Sequence, residues 1–204
     1  MYRTILTKTQ EELLPFVKAF APQYYLVGGT AIALHIGHRE SIDFDLFTDK
    51  TIDKNKVVKT ALKHGLEYVV SYQDGDQITG KINGVQVTFY EYPFPIEARV
   101  DFDEVIAIPD LLSLAAMKAY AMGKRAKWKD YVDLYFIFRD HFSLAEVAQK
   151  AEAIFGDWFN RKLFREQISY FKDINYRESI VYLGESVPDE DVKKFLIDVA
   201  TQPF

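Results

Sequence analysis

The chain has 204 residues, a formal net charge of −5 and no cysteine. This length fits one domain with an appendage, or two small domains that share a core. A cysteine-free chain excludes disulfides, thiolate metal sites and cysteine nucleophiles, and the acidic balance disfavours a globally basic nucleic-acid binder. Apolar runs are short and interrupted by charges, and no basic segment followed by a long apolar one opens the chain. The composition therefore predicts a cytoplasmic protein without a membrane span.

The first half of the chain alternates between helical and strand-like patterns. Thr7 or Thr9 is expected to cap the first helix, and Leu62 is expected on the inner face of the third. Asn83-Gly84 is a strong signal for a two-residue hairpin turn. Hydrophobic spacing predicts helices over 10–21, 31–36 and 54–64, strands over 24–27, 41–47, 66–72, 77–82 and 85–92, and an extended segment over 100–108.

From Pro109 onwards the pattern is helical, and Pro109 itself suits a helix start because its missing N–H is not needed there. The basic run Lys124–Lys129 is expected to connect two of the helices. Periodicity predicts helices over 110–122, 129–140, 143–155, 160–171 and 190–199. The chain is therefore predicted to be α+β, with a mixed sheet and helices over residues 1–108 and a helical region over 109–204.

Asp43-Phe44-Asp45 is the first candidate for chemistry. On a strand the two carboxylates would share one face, roughly 6.5–7 Å apart at Cα, while Ile42, Phe44 and Leu46 would be buried on the other. Carboxylates this close repel each other unless a cation lies between them, and Mg²⁺ or Mn²⁺ bound in this way serves phosphoryl transfer. The alternative is an exposed strand with ordinary acidic residues.

Gly28-Gly29-Thr30 strengthens the phosphate interpretation, because it follows a strand and opens a helix 13 residues before Asp43. Glycines at a helix N-terminus let the backbone approach a phosphate, and the Thr30 hydroxyl could contact the phosphate or cap the helix. Arg39 could bind a phosphate bidentately or pair with Asp43.

The segments LVGGTAIAL (26–34) and GHRESIDFDLF (37–47), followed by Met117-Lys118-Ala119 and KDYVDLY (129–135), resemble the AbiEii-type nucleotidyltransferases. That family includes toxins of type IV toxin–antitoxin pairs. The resemblance implies a polymerase-β nucleotidyltransferase fold followed by a helical region. It also implies transfer of a nucleotide from an NTP, in some members to tRNA. The motif blocks are short, but their order and spacing extend over most of the chain.

The second half contributes a lysine and two aspartates. Lys118 lies on a mostly apolar predicted helix, so its charge must reach water, an anion or a carboxylate. Asp130 and Asp133 stand three residues apart and face the same side of the next helix. Asp130, near the helix start, is expected to be partly solvated. The resemblance implies a functional lysine at Lys118 and a functional aspartate in the second block, and both aspartates remain candidates.

These residues predict a Mg²⁺-dependent nucleotidyltransferase in which the 109–204 region completes an active-site cleft. Asp43 and Asp45 would bind the metal. The phosphates would contact Lys118 and four residues of the first half of the chain: Gly28, Gly29, Thr30 and Arg39. Asp130 or Asp133 would orient Lys118 or the acceptor, a hydroxyl of tRNA or protein, and a cognate antitoxin is an expected partner. Two alternatives remain open: a nucleotide-binding module with little turnover, and a metal-dependent phosphodiesterase or nuclease. Glu91 could supply a third carboxylate, but it lies too near Pro93 to be included.

Overall fold

The computed structural model describes residues 1–202, and the chain divides into two compact units, Met1–Asp110 and Leu111–Phe204. The N-terminal unit contains all the strands assigned in the described chain, and the C-terminal unit is helical. The predicted α+β class, with a mixed sheet first and helices after it, is confirmed. Among the described residues, no helix is both long enough and apolar enough to cross a membrane.

A five-stranded mixed sheet forms the centre of the N-terminal unit. Its spatial order is β1-β2-β5-β4-β3; β2 and β5 run parallel and the other neighbours are antiparallel. The strands are β1 (Tyr25–Val27), β2 (Phe44–Thr48), β3 (Val69–Gln73), β4 (Gln77–Ile82) and β5 (Val85–Glu91). Asn83 and Gly84 join β4 to β5 with φ of 50° and 84°, the positive values that the hairpin signal predicts.

The segment predicted as one extended stretch over 100–108 is instead a hairpin of β6 (Ala98–Phe102) and β7 (Ile106–Pro109). The chain reverses at Asp103 and Glu104, which adopt positive φ values of 49° and 57°. Asp103 is a residue type that favours turns and tolerates positive φ, but Glu104 is not, so the local composition gave only a weak turn signal there.

Three helices flank the sheet: α1 (Lys8–Lys18), α2 (Gly28–Ile36) and α3 (Lys54–Lys63). Thr7, rather than Thr9, caps α1, and Gln10 completes a capping box. Gly37 closes α2 in the left-handed conformation, with φ of 71°. The ring of Phe16 in α1 packs edge-on against Phe89 of β5, so α1 covers the buried face of the sheet.

Two side chains expected in the core are exposed. Ile42 is 51% exposed because β2 begins only at Phe44, which leaves Ile42 outside the strand alternation that buries Phe44 and Leu46. Leu62 is 66% exposed near the end of α3, where Val57 and Ala61 alone are fully buried. In both cases the apolar pattern extends past the part of the element that contacts the core.

The described part of the C-terminal unit contains five α-helices: α4 (Leu111–Met122), α5 (Trp128–Asp140), α6 (Leu144–Phe155), α7 (Arg161–Ile168) and α8 (Asp189–Thr201). The helix α4 packs against α5, α6 and α7, and α5 packs against α8. Tyr120 of α4 stacks on Phe155 of α6 with ring centroids 4.2 Å apart. The helix α7 ends at Ile168, three residues before its predicted end.

Candidate functional site

Asp45 is the second residue of β2, the strand that lies between β1 and β5. It is in register with Val27 on one side and Thr88 on the other. Strand alternation directs its carboxylate away from the face on which Phe44 and Leu46 are buried. Asp43 precedes the strand by one residue, and both carboxylates are half-buried.

Gly28 is the point at which the start of α2 meets the carboxylate of Asp45. Its φ is +73°, and a Cβ built there would collide with Asp45 Oδ2. A larger residue would therefore be strained in its backbone and would also displace the carboxylate. The contact places a negative group at a helix N-terminus, where the helix dipole stabilises it.

Gly29 makes room for Arg39. A Cβ on Gly29 would lie 2.7 Å from Arg39 Nη2 and 3.2 Å from Ser41 Oγ. Arg39 is only 2% exposed, and its Nη1 donates a hydrogen bond of 2.9 Å to the carbonyl oxygen of Glu40. The guanidinium is thus held beside the first turn of α2, next to the loop that carries Asp43.

The Thr30 hydroxyl ties α2 to the backbone of Asp43. It donates to the Asp43 carbonyl oxygen and lies 2.9 Å from Ser41 Oγ. Because a hydroxyl has one hydrogen and a carbonyl only accepts, Ser41 must donate to Thr30. Of the two roles predicted for the Thr30 hydroxyl, capping α2 is wrong, since the N-cap residue is Val27 and no side chain makes a capping hydrogen bond. Buried Ser41 belongs to this network and was missed from the sequence, because a lone serine before a strand carries no pattern.

The donor set of Asp43 and Asp45 fits a hard divalent cation such as Mg²⁺. Mg²⁺ is held in nucleotide sites by one or two carboxylates and otherwise by water and substrate phosphates. A side chain at Gly28 would collide with Asp45 Oδ2, so the glycine leaves room for this ligand oxygen. Within residues 1–202, no group of three or more His, Cys, Asp or Glu side chains is arranged to hold a metal together.

The register of β5 explains why Glu91 cannot supply a third carboxylate. Thr88 lies beside Asp45, whereas Glu91 is in register with Thr48. Thr88 and Glu91 are three positions apart on one strand, so their side chains point to opposite faces of the sheet. Glu91 instead lines a cavity of about 400 Å³ together with Asp49 and Asp76.

In the C-terminal unit, Lys118 of α4 is held between two carboxylates of α5. Its Nζ donates to Asp130 Oδ1 at 2.7 Å and lies 2.7 Å from Asp133 Oδ2. All three side chains are at least 96% buried. Both candidate aspartates therefore contact Lys118. The prediction that Asp130 is partly solvated is wrong, because its carboxylate is buried under the cations that bind it.

Arg125, in the connection between α4 and α5, completes this cluster. Its Nε donates to Asp130 Oδ2 at 3.1 Å, and its Nη2 lies 3.4 Å from Asp130 Oδ1. Burial opposes ionisation of Asp130, but the charges of Lys118 and Arg125 outweigh it and hold the carboxyl pKa below its ordinary value. Asp130 is consequently an anion at neutral pH. The sequence indicated a basic connector here, without showing which of its cations reaches the aspartates.

Comparison with known proteins shows similarity to a nucleotidyltransferase family and to a protein of Aquifex aeolicus. The profile of a family described as "Nucleotidyl transferase AbiEii toxin, Type IV TA system" matches residues 16–100 and 89–202. The uncharacterised Aquifex aeolicus (strain VF5) protein aq_aa25 is 30% identical over 175 residues, which cover 82% of this chain and 84% of that protein.

Two solved structures share the fold at low sequence identity. JHP933 from Helicobacter pylori superposes with a TM-score of 0.61 at 16% identity, over 96% of this chain and 91% of its own. MenT4, a nucleotidyltransferase toxin from Mycobacterium tuberculosis H37Rv, gives a TM-score of 0.60 at 15% identity, over 96% of this chain and 83% of its own.

Proposed function

The chain belongs to the AbiEii nucleotidyltransferase toxin family and has the polymerase-β-type fold, and we propose that it transfers an NMP from an NTP to an acceptor hydroxyl with the help of Mg²⁺. The contact between Gly28 and the Asp45 carboxylate is the observation that supports metal dependence of the transfer reaction. It combines, at one point, the start of a helix, a close backbone approach and an acidic ligand, which are the requirements of a metal–phosphate site.

The residues of the N-terminal unit have separate tasks in this proposal. Asp43 and Asp45 would hold Mg²⁺ or Mn²⁺, which when bound neutralises phosphate charge and polarises the α-phosphorus. Gly28 and Gly29 allow the backbone N–H groups at the start of α2 to bind phosphate oxygens. Thr30 fixes the Asp43 backbone through its hydrogen bond, and Arg39 adds positive charge beside Gly29.

In the C-terminal unit, Lys118 contributes positive charge to triphosphate binding. Asp133 and Asp130 orient its ammonium from two sides, each at 2.7 Å from Nζ. The acceptor hydroxyl attacks the α-phosphorus and loses its proton to solvent, and pyrophosphate leaves with the bonding electron pair. Catalysis by such a site consists of alignment and charge neutralisation.

The biological setting is proposed on the family description. The type IV toxin–antitoxin class supports a cognate antitoxin as partner. The acceptor proposed here, tRNA or a protein, rests on the sequence resemblance alone. Because the reaction consumes an NTP, the proposal places the enzyme in the cytoplasm.

The test is product analysis with labelled NTPs, Mg²⁺, total RNA and total protein. The wild-type chain should release pyrophosphate and label an acceptor, and Asp45→Asn should lose this activity while its Tm stays close to that of the wild type. Asp49→Asn is the matched control, since it neutralises an exposed carboxylate just after β2. Full activity in Asp45→Asn would refute the proposal. NTP binding without transfer would favour a binding module, and hydrolysed nucleic acid would favour a nuclease.

A further inference from the structure

The buried charge cluster of the C-terminal unit has one exposed member. The side chain of Lys118 is 4% exposed, whereas that of Arg125 is 50% exposed. Asp130 joins the two, since it accepts from Lys118 Nζ and from Arg125 Nε. The positive charge of Arg125 is therefore at the solvent side of the cluster, and the carboxylates lie inside it.

Charge balance shows why Arg125 matters for an anionic ligand. Lys118 supplies one positive charge and contacts two carboxylates, Asp130 and Asp133, so these three groups together are negative. The positive charge that Lys118 contributes to triphosphate binding is therefore outweighed by its two carboxylates unless a second cation is present. Arg125 brings the sum to zero, and because it is the outermost group, the cluster presents its positive end to solvent.

The other cations of the basic run 124–129 have different contacts. Lys127 and Lys129 both bind Glu178, at 3.0 and 2.7 Å. Lys124 Nζ lies over the Tyr120 ring, 4.4 Å from its centroid. Arg125, in contrast, forms an ion pair with Asp130 and is thereby joined to the Lys118 cluster.

We propose that Arg125 binds the phosphates of the NTP as a second cation beside Lys118, an inference that rests on the proposed nucleotidyl transfer and identifies a further residue of that site. A guanidinium has five N–H donors in a planar fork, so one side chain can bind Asp130 and a phosphate oxygen together. Asp130 then has two tasks: it orients Lys118 and it holds the Arg125 fork in one direction.

The experiment measures KM for the NTP, kcat and Tm for Arg125→Gln, Arg125→Lys and the control Lys124→Gln. The control removes the same charge from the neighbouring position. Arg125→Gln should raise KM roughly ten- to a hundredfold, the range for a lost hydrogen bond to a charged group, with a smaller change in kcat. Arg125→Lys should fall between wild type and Arg125→Gln, because it keeps the charge but not the fork. The control should keep the wild-type KM.

Equal KM values in Arg125→Gln and Lys124→Gln would overturn the proposal. If Arg125→Gln does not fold, Arg125→Lys decides: a raised KM at wild-type Tm supports the role, and an unchanged KM refutes it. Calorimetric binding of inorganic tripolyphosphate separates this inference from the proposed transfer reaction. Should the wild type transfer no nucleotide yet bind tripolyphosphate, loss of that binding in Arg125→Gln supports the phosphate role, and retained binding refutes it.

Discussion

Replacing Gly28 by alanine tests whether the start of α2 positions the Asp45 carboxylate. The new Cβ faces two problems: a backbone φ of +73° and a collision with Asp45 Oδ2. The first costs about 1–2 kcal/mol for a residue other than glycine. The collision is relieved when the Asp45 side chain rotates, and this rotation moves the proposed metal ligand.

Gly65 provides a matched control because its φ is +69° and nothing lies within 4 Å of an added Cβ. Gly28→Ala and Gly65→Ala should therefore share the backbone cost and lower Tm by roughly 2–8 °C each. Only Gly28→Ala displaces a reacting group. A misplacement of about 1 Å costs on the order of 10²-fold in rate, so transfer should fall by about that factor in Gly28→Ala alone.

Thermal unfolding and labelled-nucleotide transfer, measured on both variants under one set of conditions, complete the test. If Gly28→Ala transfers nucleotide as fast as Gly65→Ala, the contact with Asp45 has no role in catalysis. If both variants lose activity together, general destabilisation explains the loss and the argument from local geometry fails.

Three further outcomes are expected from the C-terminal unit. Lys118→Met should lower Tm by roughly 10 °C, because removing one partner of a buried ion pair costs about 3–5 kcal/mol; an unchanged Tm would mean that the carboxylates had found other partners. Asp130→Ala should reduce transfer more than Asp133→Ala, since both carboxylates contact Lys118 but Asp130 also holds Arg125, and rates of the two variants at equal enzyme concentration check this order. The hydrogen bond from Lys129 helps hold the pKa of Glu178 at about 2 instead of 4.5, so its stabilisation is complete above pH 4.5 and lost as pH falls towards 2. The Tm difference between wild type and Glu178→Gln should shrink over that interval, and a constant difference would contradict the assigned pairing.

The local elements follow from sequence because their causes are local. The Asn83-Gly84 turn needs positive φ at two successive positions, and these residue types tolerate it. The Thr7 capping box and the left-handed Gly37 act within one helix turn of their own element. Where the apolar pattern runs beyond the contacting part of an element, as at Ile42 and Leu62, the same reasoning fails.

By itself, the sequence determined the class of the fold and the family, because the element pattern and the order of the motif blocks extend over most of the chain. The assignment of residues to a metal and a triphosphate stays a prediction from their chemistry. The tertiary structure decided which of these groups meet. Only strand register shows that Thr88, and not Glu91, lies beside Asp45. Likewise, only helix packing brings Lys118 between Asp130 and Asp133 and joins Arg125 to them. Such contacts depend on how separate elements pair and pack, which periodicity within one element does not encode.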